Sequence, residues 1–267
     1  MRPPVYLAAK KGSIVTVKAL VEHNADPNQA TTDTGTTPLF IAALKGDLAM
    51  VTLLLAHDAN PNQARADNGA TPMYIAVQNC HASVAQLLLA HGADPGKPRT
   101  DDGTTPMYWA TQYGQRGVAK LLLEHGVDPN EATTAEGATP IYTAAQNGHY
   151  DVSKLLLTHN ADPNKARTDD GQTPVYAAAR YGRLDVTKLL LEHNANPNQA
   201  TTDNGESAIY VAAWAGHLAV VGQLLKHKAD PNQARAGGGQ DAWTPLKKAA
   251  QKGHTAIVTL LKQHGAV

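Results

Sequence analysis

The sequence predicts an all-α solenoid: stacked helix-turn-helix units joined by hairpin-like finger loops. Three observations carry this. With the proline of each Thr-Pro as phase, copies of one pattern begin at Pro4, Pro38, Pro72, Pro106, Pro140, Pro174, Ala208 and Pro245, so that six steps are 34 residues and the last is 37. Self-similarity at a fixed period of this size marks a stacked repeat array. The fifth position of each first helix is alanine in every copy (Ala8, Ala42, Ala76, Ala110, Ala144, Ala178, Ala212, Ala249), which fits a place where two helices approach too closely for a larger side chain. One position of each second helix is always leucine (Leu20, Leu54, Leu88, Leu122, Leu156, Leu190, Leu224, Leu261).

The stretch from Thr139 to Thr173 shows how one unit is specified. Thr139 is a natural N-cap, and Pro140 fits the first helical position, where a missing N–H costs nothing. Ala144 and Ala145 give the first helix a slim face, and Gly148 ends it in the left-handed conformation. Val152, Leu155, Leu156 and Leu157 form the apolar stripe of a second helix. Asn160 offers a second left-handed stop, with Pro163 preventing continuation. The polar segment from Lys165 to Gln172 closes on the turn Asp169-Asp170-Gly171.

These residues resemble the ankyrin repeat, whose pattern runs T-P-L-H-x-A-A-x-x-G-H-x-x-V-V-x-L-L-L-x-x-G-A-D. Three departures are systematic. The histidine of T-P-L-H is replaced by Tyr6, Phe40, Tyr74, Tyr108, Tyr142, Tyr176 and Tyr210. Asp-Val-Asn becomes Asp-Pro-Asn, or Asn-Pro-Asn at Asn60 and Asn196. The unit is one residue longer than the usual repeat, the addition lying in the finger loop. The resemblance implies one domain over 1–267 with eight repeats, 4–37, 38–71, 72–105, 106–139, 140–173, 174–207, 208–244 and 245–267. Lys247 and Lys262 in the final copy suit a solvent-facing cap, whereas the first copy has no preceding hairpin and is compatible with excision from a longer protein.

Two copies are irregular. Cys80 stands where the other seven copies have glycine, at a position expected to be left-handed. The same copy carries Pro95-Gly96-Lys97-Pro98 in place of Pro-Asn-x-Ala. The seventh opens on Ser207-Ala208, without the fixed φ of proline, and is followed by Gly237-Gly238-Gly239-Gln240-Asp241-Ala242-Trp243, a longer loop. Lower local stability is expected at these places.

Composition narrows the function. Lys plus Arg and Asp plus Glu are 23 each, so charge favours neither nucleic acid nor an anionic membrane. The single cysteine, Cys80, excludes an internal disulfide and a cysteine zinc site. No apolar run reaches membrane-spanning length, and Met1-Arg2-Pro3-Pro4 does not resemble a signal peptide. A monomeric, cytoplasmic or otherwise intracellular protein is expected, secretion as an effector remaining open.

Chemistry-bearing clusters read as architecture. His23, His57, His91, His125, His159, His193, His227 and His264 recur at the end of the second helices. Equivalent positions on stacked helices lie roughly 8–10 Å apart, too far for neighbouring rungs to share an ion. His81, His149, His217 and His254 follow the stop of the first helix and match the Gly-His of the resemblance. Cys80 beside His81 lacks a third group, and adjacent residues rarely reach nucleophile-base geometry. The Asp-Asp-Gly and Asp-Asn-Gly tips lack the alternating acids of a calcium loop. No catalytic residue, cofactor or metal site is therefore expected.

What remains is the set of positions that vary while their neighbours do not. Repeats four to seven place Trp109, Gln112, Tyr113, Gln146, Arg180, Tyr181 and Trp214 on their first helices, and Trp243 stands on the last finger. Aromatic and arginine side chains dominate interface energies. Trp109 aligns with Leu7, Ile41 and Ile75, so it is equally a packing residue, whereas Tyr113 and Tyr181 align with Lys and Asn and are expected to be exposed. The resemblance implies a non-enzymatic scaffold that takes a partner protein or peptide on its concave face and fingers. A targeting or regulatory segment of a larger enzyme, channel or secreted bacterial effector is the alternative. Acidic finger tips at Asp101, Asp102, Glu136, Asp169, Asp170 and Asp203 would favour a basic partner.

Overall fold

Each repeat begins on the same capping chemistry. The residue before the first helix is extended, and its hydroxyl accepts from the N–H three residues on: Thr37 from Phe40, Thr71 from Tyr74, Thr105 from Tyr108, Thr139 from Tyr142, Thr173 from Tyr176 and Thr244 from Lys247. Ser207 does the same for Tyr210 at 3.4 Å, so the copy without Thr-Pro keeps its cap. Only the first copy, which opens on Pro3, has no side-chain cap.

The computed structural model describes residues 1–235 and 243–267. The loop Gly237-Gly238-Gly239-Gln240-Asp241-Ala242, singled out above, lies outside the described residues. These form two compact units, Met1–Asp128 and Pro129–Val267. The first contains α1 (Pro4–Lys11), α2 (Ile14–Glu22), α3 (Pro38–Lys45), α4 (Leu48–Ala56), α5 (Pro72–Gln78), α6 (Ala82–Ala90), α7 (Pro106–Gln112) and α8 (Arg116–Glu124). The second contains α9 (Pro140–Asn147), α10 (Tyr150–Thr158), α11 (Pro174–Arg180), α12 (Leu184–Glu192), α13 (Ala208–Ala215), α14 (Leu218–Lys226), α15 (Pro245–Gln251) and α16 (Thr255–Gln263). No strand occurs among the described residues. The fold is the all-α solenoid of helix-turn-helix repeats that the period predicts.

Packing within each unit follows the alanine and leucine positions. First helices stack on first helices (α1 on α3, α3 on α5, α5 on α7; α9 on α11, α11 on α13, α13 on α15), and each also packs on its own second helix. Ala42, Ala76, Ala110, Ala144, Ala178, Ala212 and Ala249 are fully buried there, as are Leu54, Leu88, Leu122, Leu156, Leu190, Leu224 and Leu261 on the second helices. A slim alanine face lets first helices come together more closely than second helices. The fingers are one-rung hairpins closed by backbone bonds such as Arg65 N to Ala70 O and Arg167 N to Gln172 O, each 2.9 Å.

Neighbouring repeats are also tied by asparagine. The side-chain amide of Asn164 donates to Asn194 O at 3.1 Å while its Oδ1 accepts from Asn196 N at 2.6 Å. Asn28, Asn62, Asn130, Asn198 and Asn232 make the same two-way bridge one repeat ahead. Each of these is the last residue of the Asp-Pro-Asn or Asn-Pro-Asn departure. The preceding Asp or Asn accepts from the backbone N–H two residues on, as Asp162 does from Asn164 and Asn196 from Asn198, which is why either acid or amide serves. Gly96 occupies the corresponding place in the third repeat and has no amide to form the bridge.

The helix stops divide into two kinds. At the end of the second helices Asn24, Asp58, Asn160, Asn194 and Lys228 have positive φ, and a Cβ at the equivalent Gly92 or Gly126 would meet nothing within 4 Å. At the end of the first helices the next repeat reaches back: a Cβ at Gly46 would lie 2.5 Å from the His81 ring, and one at Gly182 2.7 Å from that of His217. Cys80 sits at such a stop with φ of 61°. Its neighbour there is the longer, flexible Gln115, whose Nε2 bonds Val77 O at 2.8 Å and meets Cys80 Sγ at 3.2 Å. A side chain in the left-handed region costs ~1–2 kcal/mol, partly offset by the greater entropy glycine loses on folding. Cys80→Gly is therefore expected to stabilise the first unit by about 0.5–1 kcal/mol, seen as a higher urea midpoint at unchanged slope; a lower midpoint would show that the Gln115 contact outweighs the strain.

Candidate protein-binding surface

Most aromatic residues of the first helices are foundations rather than contact points. Phe40, Tyr74, Tyr142, Tyr176 and Tyr210 are buried beneath the fingers. Three of the tyrosine hydroxyls reach the next finger: Tyr74 pairs with Thr104 Oγ1 at 2.8 Å, and Tyr142 and Tyr176 donate to Gln172 Oε1 and Glu206 Oε2, both at 2.9 Å. Burial first, then the Glu206 carboxylate, pushes the Tyr176 phenol far above its usual range. The tyrosines that stand in place of the histidine of T-P-L-H thus act as struts between a first helix and a finger. Finger arginines cover these rings, with Arg65 over Phe40 at 5.5 Å, Arg99 over Tyr74 at 5.8 Å and Arg167 over Tyr142 at 5.4 Å.

Those same arginines neutralise the finger tips. Arg65 binds Asp67, Arg99 binds Asp101 and lies 3.6 Å from Asp102, and Arg167 meets Asp169, Asp170 and Glu136. The hydrogen bond from Arg167 holds the Asp169 carboxyl below the usual carboxylate range. The negative rim expected from the sequence is cancelled on the fingers that carry an arginine, because the turn brings residues two apart into ion-pair contact, and Arg167 also reaches Glu136 on the preceding finger. Asp203, on a finger that begins with Thr201 instead of Arg, accepts only from the Asn204 N–H.

The histidines serve the backbone. His23, His91, His125, His159, His193, His227 and His264 each place Nδ1 within 2.8–3.0 Å of the carbonyl four residues earlier. They add a ring contact to carbonyls of the last helical turn, and at His23, His125, His193 and His227 the backbone N–H of the same residue also bonds that carbonyl at 3.2 Å. His81, His217 and His254 bring Nε2 to 3.2–3.3 Å from the carbonyls of Leu44, Arg180 and Trp214 one repeat back. Among the described residues, no group of three or more His, Cys, Asp or Glu side chains is placed to hold a metal ion.

The residues expected to meet a partner fall in both units. In the first, Trp109 is half-buried against the Phe40, Ala70 and Tyr74 cluster. Its Nε1 donates to Tyr74 OH at 2.5 Å, and its ring stacks on Tyr113 at 5.5 Å. Trp109 therefore supports Tyr113, which is 49% exposed. Gln112 beside them is half-buried. In the second unit Tyr181 is 44% exposed, with Gln146 Nε2 3.4 Å from its hydroxyl and Arg180 over its ring at 5.9 Å. Trp214 and Trp243 are each 39% exposed, but Lys252 lies 5.9 Å over the first ring and Lys248 4.9 Å over the second.

A hollow of about 340 Å³ in the second unit joins two of these residues to groups the sequence reading passed over. Arg180 and Trp214 line it together with Glu206, Val211, Arg235 and Lys248. Arg235 Nε stands 3.5 Å from Glu206 Oε1. The available signal was alignment: Lys248 occupies the position held by Ile41, Ile75, Trp109 and Val211, and Arg235 that held by Arg65, Arg99 and Arg167.

A family model described as ankyrin repeats, in sets of three copies, matches overlapping segments 5–99, 51–133, 92–167, 125–201 and 164–235. The chain belongs to the ankyrin-repeat family. No curated protein sequence matches it. Ankyrin repeats are generally protein-protein interaction modules. No helix among the described residues is long and apolar enough to cross a membrane. The ankyrin framework accounts for the fixed alanines, leucines and glycines, which leaves the variable first-helix residues as the distinguishing surface.

Proposed function

We propose that this ankyrin-repeat chain is a non-enzymatic scaffold that binds a partner protein or peptide through the faces of its first helices and fingers. The observation that carries the reading is the exposure of Tyr113 and Tyr181. Both stand at the same place, the C-terminal end of a first helix, where the other copies carry lysine, asparagine or, in the seventh, Ala215. Large aromatic groups left half in solvent on a rigid support supply contact area with little entropy to lose. Ten of the twelve histidines, which would be the natural acid-base groups of an enzyme, are engaged with backbone carbonyls in the pattern described above.

The test uses the full chain as bait, followed by affinity measurement on the purified partner. Tyr113→Ala with Tyr181→Ala is expected to weaken binding at least tenfold, since interface anchors contribute about 2 kcal/mol or more when central. The melting temperature should stay unchanged, because both side chains are exposed. Wild-type affinity in this variant, with loss of binding on substitution of Leu184 or Leu218 on the second helices, would place the interface elsewhere.

A further inference from the structure

The hollow between repeats six and eight holds more positive charge than its own residues neutralise. Arg180, Arg235 and Lys248 face one carboxylate, Glu206. Glu206 is already committed, accepting from Tyr176 OH at 2.9 Å on one oxygen and lying 3.5 Å from Arg235 Nε on the other. Lys248 Nζ has only neutral partners, donating to Gln251 Oε1 at 2.9 Å and lying 4.9 Å over the Trp243 ring. Among the described residues Arg180 and Lys248 form no ion pair. Two cations on a partly buried wall repel each other and attract an anion more strongly than they would in open water.

We propose that this hollow is an acidic-anchor pocket: it takes the carboxylate of an internal Asp or Glu side chain of the partner, clamped between Arg180 and Lys248, with the flanking apolar residue laid on Trp214. This rests on the scaffold reading above and names the chemistry of one part of that surface. Arginine offers a planar fork suited to a carboxylate, and lysine a second point charge. The volume lies at the low end of the ~300–1,000 Å³ of small-molecule sites and suits one or two side chains rather than a cofactor. Glu206 on the same wall argues against a phosphate, whose charge of about −2 would be repelled more than a carboxylate's −1. With most of the finger-tip acids paired to arginines, Asp203 excepted, this pocket makes an acidic segment the complementary partner, in place of the basic one that the sequence favours.

The experiment is selection of displayed dodecapeptides on the full chain, followed by anisotropy with labelled, C-terminally amidated synthetic peptides near physiological salt. Enrichment of Asp or Glu at one position next to an apolar residue is expected. Replacing that acid by its amide should lower affinity at least tenfold, and R180Q with K248Q should do the same. The two changes together should cost no more than either alone, because they remove the same contact. Selected peptides that bind without an acid, that bind the double variant unchanged, or that bind tighter with phosphoserine at the acidic position would overturn the pocket while leaving the scaffold reading intact. Failure to select any peptide, with no partner captured in the test of Tyr113 and Tyr181, would overturn both.

Discussion

Leu156→Ala is expected to destabilise the second unit by about 2–5 kcal/mol, the range for a large-to-small change in a core that collapses poorly. Leu156 is fully buried on α10 and is the residue that recurs in every copy. A close-packed interior leaves little that can move to fill the space. The neighbouring Leu155 is only half-buried, and Leu155→Ala should cost less than about 2 kcal/mol, the gain from burying part of one side chain. Urea unfolding followed by circular dichroism measures both. Equal losses from the two variants would mean that the recurrent leucine is not the core position the stack implies.

Gly171→Ala is the second large effect, and it separates crowding from backbone strain. Gly171 sits at a finger tip with φ of +74°, and a Cβ there would stand 2.7 Å from both the backbone N and Cγ2 of Thr202. Thr202 N is itself bonded to Asp170 O at 2.9 Å, the link that ties one finger to the next. Alanine must therefore accept a left-handed φ, at ~1–2 kcal/mol, and also push the next finger away, at roughly 1–3 kcal/mol more. Gly126→Ala supplies the comparison. Its φ is +81°, but a Cβ would meet nothing within 4 Å, so only the ~1–2 kcal/mol of conformational cost applies. A larger loss at Gly126 than at Gly171 would refute close finger packing.

Both effects bear on how the array achieves order with few aromatic residues. Within each unit, neighbouring repeats are held together by small, recurring devices: an alanine face, an asparagine bridge wherever the repeat carries the asparagine, a finger bond and a histidine, glutamine or arginine reaching back over a helix stop. Arg183 plays that last role between repeats five and six, its Nε 3.1 Å from Gln146 O and its Cδ where a Cβ on Gly148 would lie at 2.7 Å. On the scaffold reading proposed above, a partner would meet a surface whose backbone is fixed and whose identity resides in the side chains that vary.

The sequence alone determined the period, the fold class, the first-helix starts, the alanine and leucine core positions and the left-handed stops. These are properties of spacing and of local backbone preference, and Thr139, Pro140, Ala144, Gly148, Leu156 and Asn160 state them without reference to any other repeat. It also identified Tyr113 and Tyr181 as exposed, since a bulky residue among lysines and asparagines has no core to fill. Only the tertiary structure decided what happens between repeats. It showed Asn164 bridging 30 to 32 residues ahead, Arg167 cancelling the acids of its own finger, Trp109 holding up Tyr113, and Arg180 and Lys248 facing one hollow whose single carboxylate, Glu206, pairs with Arg235. The reason is physical: a repeating pattern fixes which residues recur, but a contact depends on the distance and direction between side chains of different repeats, and those are set only when the helices stack.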